Sequence, residues 1–167
     1  MLKVLSRRNF LKMSGVAATG ALLVACGGGE EAKPTAPPSA GPVSLEIDTD
    51  AAAGTFKYSK ASLEAPPGSK ITLKLNNKTD AAAAVGHNWV LTKKGKEETV
   101  VNNGTAAGDA NGWMKPNDAD IIAHTKLIKG GESDSVTFDA PAAGTYAFLC
   151  TFPGHYAGGM KGDLVIK

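Results

Sequence analysis

Cysteine and histidine are scarce in this 167-residue chain, with two of the first and three of the second. Two cysteines cannot make the disulfide framework that staples many small exported domains. With one cysteine committed elsewhere, too few donors remain for a structural zinc site. Long apolar runs are also missing. The one that stands out, residues 13–25, is shorter than the roughly 20 residues that cross a bilayer as a helix. Serine, aspartate and glutamate are scattered, with no hydrolase motif or diagnostic carboxylate pair. Asp109-Ala110-Asn111-Gly112 hints at a calcium loop, but the remaining ligand spacing is absent.

What is present first is an address. Ser6-Arg7-Arg8-Asn9-Phe10-Leu11-Lys12 reads as a twin-arginine export signal, and the small-residue run at 13–25 as its apolar core. The run ends in Leu23-Val24-Ala25-Cys26, which has the form of a bacterial lipobox, so Cys26 is expected to be the lipidated first residue after cleavage. A plain signal peptide with an incidental cysteine is the alternative. Residues 1–25 hold Lys3, Arg7, Arg8 and Lys12 and no acid, so removing these four charges takes the formal charge from +2 to −2. No basic cluster suited to nucleic acid survives, and that class of partner is set aside. Residues 26–42 follow as the lipidated cysteine and a Gly/Pro/Ala/Ser-rich flexible tether. The export route places the protein on the outer face of the cytoplasmic membrane. With Cys26 lipidated, Cys150 has no disulfide partner.

From residue 43 to 167 the texture is that of one all-β domain. Val43-Ser44-Leu45-Glu46-Ile47 and Lys70-Ile71-Thr72-Leu73-Lys74-Leu75 alternate apolar and polar, as half-buried strands do. Phe56-Lys57-Tyr58 is a shorter second candidate, and Pro66-Pro67-Gly68-Ser69 a turn. Trp89-Val90-Leu91 is a continuous apolar strand core, ended by Lys93-Lys94-Gly95-Lys96. Residues 102–120 read as a long excursion with one short helix. Strands are then expected at 121–125, 134–138, 144–150 and 162–166. Seven or eight short strands at this spacing predict a Greek-key β-sandwich.

The chain closes as Cys150-Thr151-Phe152-Pro153-Gly154-His155-Tyr156-Ala157-Gly158-Gly159-Met160, with His87 upstream in Gly86-His87-Asn88-Trp89. Singly, a cysteine or methionine is usually core filler and a histidine usually packed or exposed. Jointly, two imidazoles, one thiolate and one thioether are the donors of a mononuclear blue copper site, with the thioether as the long axial bond. Cys150 ends an alternating strand, Pro153-Gly154 reverses the chain to bring His155 back, and Gly158-Gly159 lets Met160 open the last strand. A binuclear copper centre would need a second loop cysteine. A catalytic multicopper site would need many more histidines.

The blocks around these residues, Gly86 to Leu91, Ile121 to Ile128, Ser135 to Asp139, Cys150 to His155 and the Met160-Lys161-Gly162 that follows, resemble those of the azurin/auracyanin family, the membrane-associated auracyanins more closely. The resemblance implies a cupredoxin fold of two packed sheets with one copper ion at one end. It implies His87, Cys150 and His155 as equatorial ligands, Met160 as the axial one, and the Gly86 carbonyl approaching weakly from the opposite side. Asn88, with Thr151, would hold the two ligand-bearing segments together. Two features depart from azurin: its disulfide near the start cannot form here, and Met160 stands one residue further from His155. His124, in a matched block, is expected to be packed or exposed and not a ligand.

The expected function is one-electron transport between Cu(I) and Cu(II), with no enzyme activity. The ring edge of His155 would be the electron port, within a docking patch of Val85, Phe152, Pro153, Tyr156 and Ala157. Partners would be membrane-bound or soluble redox proteins, such as cytochromes or a quinol-oxidising complex, met briefly by a monomeric carrier. A photosynthetic or a respiratory chain would serve. The runner-up is a copper-binding or copper-delivery protein of the cell envelope.

Overall fold

The structure is a computed structural model and describes residues 40–50 and 55–167. The expected signal, Cys26 and most of the tether lie outside the described residues. Among the described residues, eight strands form two sheets: β1 (Val43–Asp48), β2 (Ser62–Ala65), β3 (Lys70–Asn76), β4 (Val90–Thr92), β5 (Ile121–His124), β6 (Ser133–Asp139), β7 (Gly144–Leu149) and β8 (Lys161–Ile166). One sheet runs β1-β3-β6 and the other β2-β8-β7-β4-β5. The β1–β3 and β2–β8 pairs are parallel and the other pairs antiparallel. Such crossing connections are those of a Greek-key sandwich, as the strand spacing predicted.

Alternation explains the inner faces. In β3, Ile71, Leu73 and Leu75 are fully buried, while Lys70 before them and Lys74 among them reach water. They meet Trp89, Phe148, Leu164 and Ile166 of the facing sheet in one core. Strand β4 is buried at all three positions. Its continuous apolar run has a cause: Leu91 faces the main core, while Val90 packs with Val100 and Leu149 in a second cluster. Val100 belongs to helix α1 (Glu97–Ala107), which covers the outer side of β4.

Two elements differ from the sequence reading. Phe56-Lys57-Tyr58 is not a strand. It contributes only an isolated bridge, Thr49 to Tyr58, and the second strand is Ser62–Ala65 instead. Ser62-Leu63-Glu64-Ala65 has little intrinsic strand preference, but pairing with β8 buries Leu63 and Ala65, and tertiary packing outweighs propensity. The helix expected within 102–120 starts earlier, at Glu97, and is followed by a short 3-10 turn at Asp109–Asn111. The Glu97 and Glu98 carboxylates suit the positive end of its dipole. Val100-Val101 masked it, because paired β-branched residues are poor helix formers.

Candidate metal centre

The four predicted donors come from two places in the fold. His87 sits just before β4, in a two-way backbone bridge with Ile128: each N–H donates to the other's carbonyl, at 3.0 and 2.9 Å. The residue before it has to be small, since a Cβ on Gly86 would come within 2.8 Å of Leu127 Cγ. Cys150 follows β7 and Met160 precedes β8. The Cys150 N–H donates to the Met160 carbonyl (3.1 Å), and the Met160 N–H to the His155 carbonyl (2.9 Å). The intervening loop turns through left-handed backbone at Gly154 (φ 83°) and Gly159 (φ 97°), conformations that glycine adopts without strain. Gly158 does not share that conformation. The loop is thus a closed hoop between neighbouring strand ends, and its residue count sets where each donor falls.

The donor atoms converge. His87 Nδ1 lies 3.1 Å from Met160 Sδ, and Cys150 Sγ lies 3.4 Å from His155 Nδ1. Ligand atoms of His87, Cys150 and His155 all fall within 4.8 Å of one another. Atoms each about 2.0–2.3 Å from a shared ion are separated by distances of this order. A thiol and a thioether are weak hydrogen-bond partners for imidazole, so hydrogen bonding alone accounts poorly for such a cluster. The donor set fits one copper ion: soft sulfur with imidazole nitrogen, in a buried pocket.

Burial also sets the charge states. Cys150 and Met160 are fully buried, and the two histidines are 2% exposed. Burial pushes the Cys150 thiol up to about 11, partly offset by the Asn88 and Phe152 backbone N–H groups directed at its sulfur. Burial holds His87 at about 4; burial, with the neighbouring His87, holds His155 at about 4. At neutral pH the metal-free pocket therefore carries a thiol and two neutral imidazoles, and metal binding must expel the thiol proton.

Asn88 joins the two segments. Its Nδ2 donates to Thr151 Oγ1 (2.7 Å) and its Oδ1 accepts from the Thr151 N–H (2.9 Å), both bonds buried. One residue that sequence reasoning did not connect with the site supports this clamp: the buried Tyr58 hydroxyl donates to the Asn88 carbonyl at 2.6 Å. A carbonyl left without that donor would cost about 1–3 kcal/mol. No local signal marks Tyr58, because the contact spans thirty residues. Among the other predicted residues, Pro153 and Ala157 are exposed, while Val85, Phe152 and Tyr156 are half-buried. His124 is exposed, its Nδ1 3.0 Å from the Thr125 carbonyl, and takes no part in the cluster.

The His155 ring, whose edge is the expected electron port, is packed by two other rings. The Phe56 ring lies nearly flat on the imidazole, with centroids 4.4 Å apart at 19°, and Phe152 packs at 4.6 Å and 34°. Together they account for the near-complete burial of His155. Phe56 was missed because it was assigned to a strand that does not form.

A family model for copper binding proteins of the plastocyanin/azurin family matches residues 45–167. A twin-arginine translocation signal model matches residues 4–24 and indicates export across the cytoplasmic membrane. Among the described residues no helix is long and apolar enough to cross a membrane. Auracyanin-A of Chloroflexus aurantiacus is 35% identical over 163 residues, 95% of this chain and 97% of that protein. Azurin-1 of Alcaligenes xylosoxydans xylosoxydans is 56% identical over 87 residues, covering 50% of this chain and 67% of azurin. The crystal structure of dithionite-reduced auracyanin from the photosynthetic bacterium Roseiflexus castenholzii superposes with a TM-score of 0.67 at 36% identity, over 77% of this chain and 98% of that one. With fold, donor set and near-full-length relative in agreement, the chain belongs to the plastocyanin/azurin family of copper-binding proteins, among its blue copper electron carriers.

Proposed function

We propose that this protein is a mobile one-electron carrier, tethered to the outer face of the cytoplasmic membrane, that shuttles electrons between redox proteins of a photosynthetic or respiratory chain. Bound copper supplies the Cu(I)/Cu(II) couple. The protein supplies a pocket that need not rearrange between the two states. The observation that carries the reading is the burial of all four donors together with their fixing across strands by Asn88 and the loop's backbone bonds. His87, Cys150 and His155 would hold the metal, with Met160 Sδ as a weaker donor and the Gly86 carbonyl as a further candidate. A site so enclosed favours retention of the metal and suits a carrier better than a delivery protein. It leaves no open position for substrate chemistry.

In this reading, Pro153 and Ala157, with Val85, Phe152 and Tyr156 beside them, form the face that meets cytochromes or a quinol-oxidising complex briefly, the carrier acting as a monomer. A cavity of about 420 Å³, lined by Ala84, Val85, Leu127 and Phe152 and also by the charged Asp109 and Lys129, adjoins that face. Cys26 would carry the lipid anchor, and the Gly/Pro/Ala/Ser-rich residues 27–42 would tether the copper domain at 43–167 to it. Voltammetry with metal analysis tests the carrier role. A reversible one-electron couple with copper retained over many cycles is expected, and transfer of the copper to an acceptor on each reduction would contradict it. For the anchor, Cys26→Ser protein should leave the membrane fraction; its continued retention there would overturn the tether.

A further inference from the structure

Three of the four donors are fixed by the fold at strand ends, but His155 is not. It sits mid-loop, among the exposed residues Pro153, Gly154, Ala157 and Gly158. Of the four donors this imidazole is the one whose backbone is not anchored at a strand end or to Ile128, so it is the one freest to move when the metal is withdrawn. Two rings pack on it, Phe152 from its own loop and Phe56 from a distant part of the chain. Phe56 lies in the segment between β1 and β2 and stacks flat on the His155 ring. The loop leaves space for it: a Cβ on Gly158 would come within 2.8 Å of Phe56 Cδ2. The glycine pair at 158–159 therefore divides its work, Gly159 for backbone conformation and Gly158 for access of the phenyl ring.

We propose that Phe56 is a positioning residue that latches His155: its ring, seated over Gly158, holds the imidazole inward and keeps the metal in the site. The inference rests on the carrier reading only in that a carrier must hold its metal through every cycle. The step it slows is a ligand exchange without change of oxidation state. His155 would give up its bond to the metal as an external ligand took its place, with no electron moved.

The test uses the copper-loaded, reduced protein and bathocuproine disulfonate, a Cu(I) chelator whose complex is followed optically. Phe56→Ala should release copper about tenfold faster than the wild type, the scale of the strongest ring stacks. Phe56→Tyr, which keeps the stack, should restore slow release, and Phe56→Leu, which keeps bulk without the ring, should not. In the metal-free protein, the His155 ring protons should lose the part of their ring-current shift that Phe56 contributes in Phe56→Ala, while the melting temperature stays close to wild type. Release from Phe56→Ala within twofold of wild type would overturn the latch. So would slow release from Phe56→Leu, or a faster release matched by a large fall in metal-free stability. A protein that holds its copper but shows no reversible couple would defeat the carrier reading and leave the latch standing.

Discussion

Burial moves the titratable donors in opposite directions, and the metal-free protein should register both. His87 and His155 fall from the ordinary 6.5 to about 4, so the folded state keeps them neutral where an unfolded chain would already be charged. As pH drops below about 6.5 the unfolded chain takes up protons first, and stability is lost progressively toward pH 4. Cys150 rises from the ordinary 9.0 to about 11, so above about pH 9 the unfolded chain loses its proton first and stability falls again toward pH 11. Denaturant unfolding of the metal-free protein should therefore show a stability plateau between about pH 6.5 and 9, with losses on both sides. A midpoint unchanged between pH 7 and pH 4.5 would contradict the burial of the two imidazoles. Copper binding replaces the thiol proton, so loading should release a proton at neutral pH.

At the scale of elements, the difference between what the sequence shows and what it hides follows from contact range. The C-terminal hoop is legible because its donors lie within eleven consecutive residues and its ends are alternating strands. Strands β1, β3 and β6 are legible for the same reason: each faces water on one side, so the period of two is written in the chain. Strand β2 is hidden because only its pairing with β8 makes it a strand. Helix α1 is hidden because just Val100 and Gly104 of its residues are buried, too few to give a clear stripe. The two aromatic supports of the site, Phe56 and Tyr58, belong to a segment with a single isolated bridge. Nothing in their neighbours announces contacts with residues about thirty and one hundred positions away. The site's donors could be read from residue types and spacing. Its supports required the fold.

For the whole molecule, the neighbouring antiparallel strands β4, β7 and β8 of the five-stranded sheet bring the segment before β4 and the hoop between β7 and β8 to one end, and Asn88 closes the join. Every donor is then buried, and every donor-bearing segment is bonded to the body of the sandwich or, at His155, covered by rings. The central claim is a single copper bound by thiolate and imidazole in that pocket. The optical spectrum of the oxidised protein, taken with copper analysis for the wild type and for Cys150→Ser, tests it most directly. The wild type should bind one copper per chain and show an intense visible thiolate-to-copper band, and Cys150→Ser should lack that band. A copper-loaded wild type without it, or a blue Cys150→Ser protein, would contradict the account.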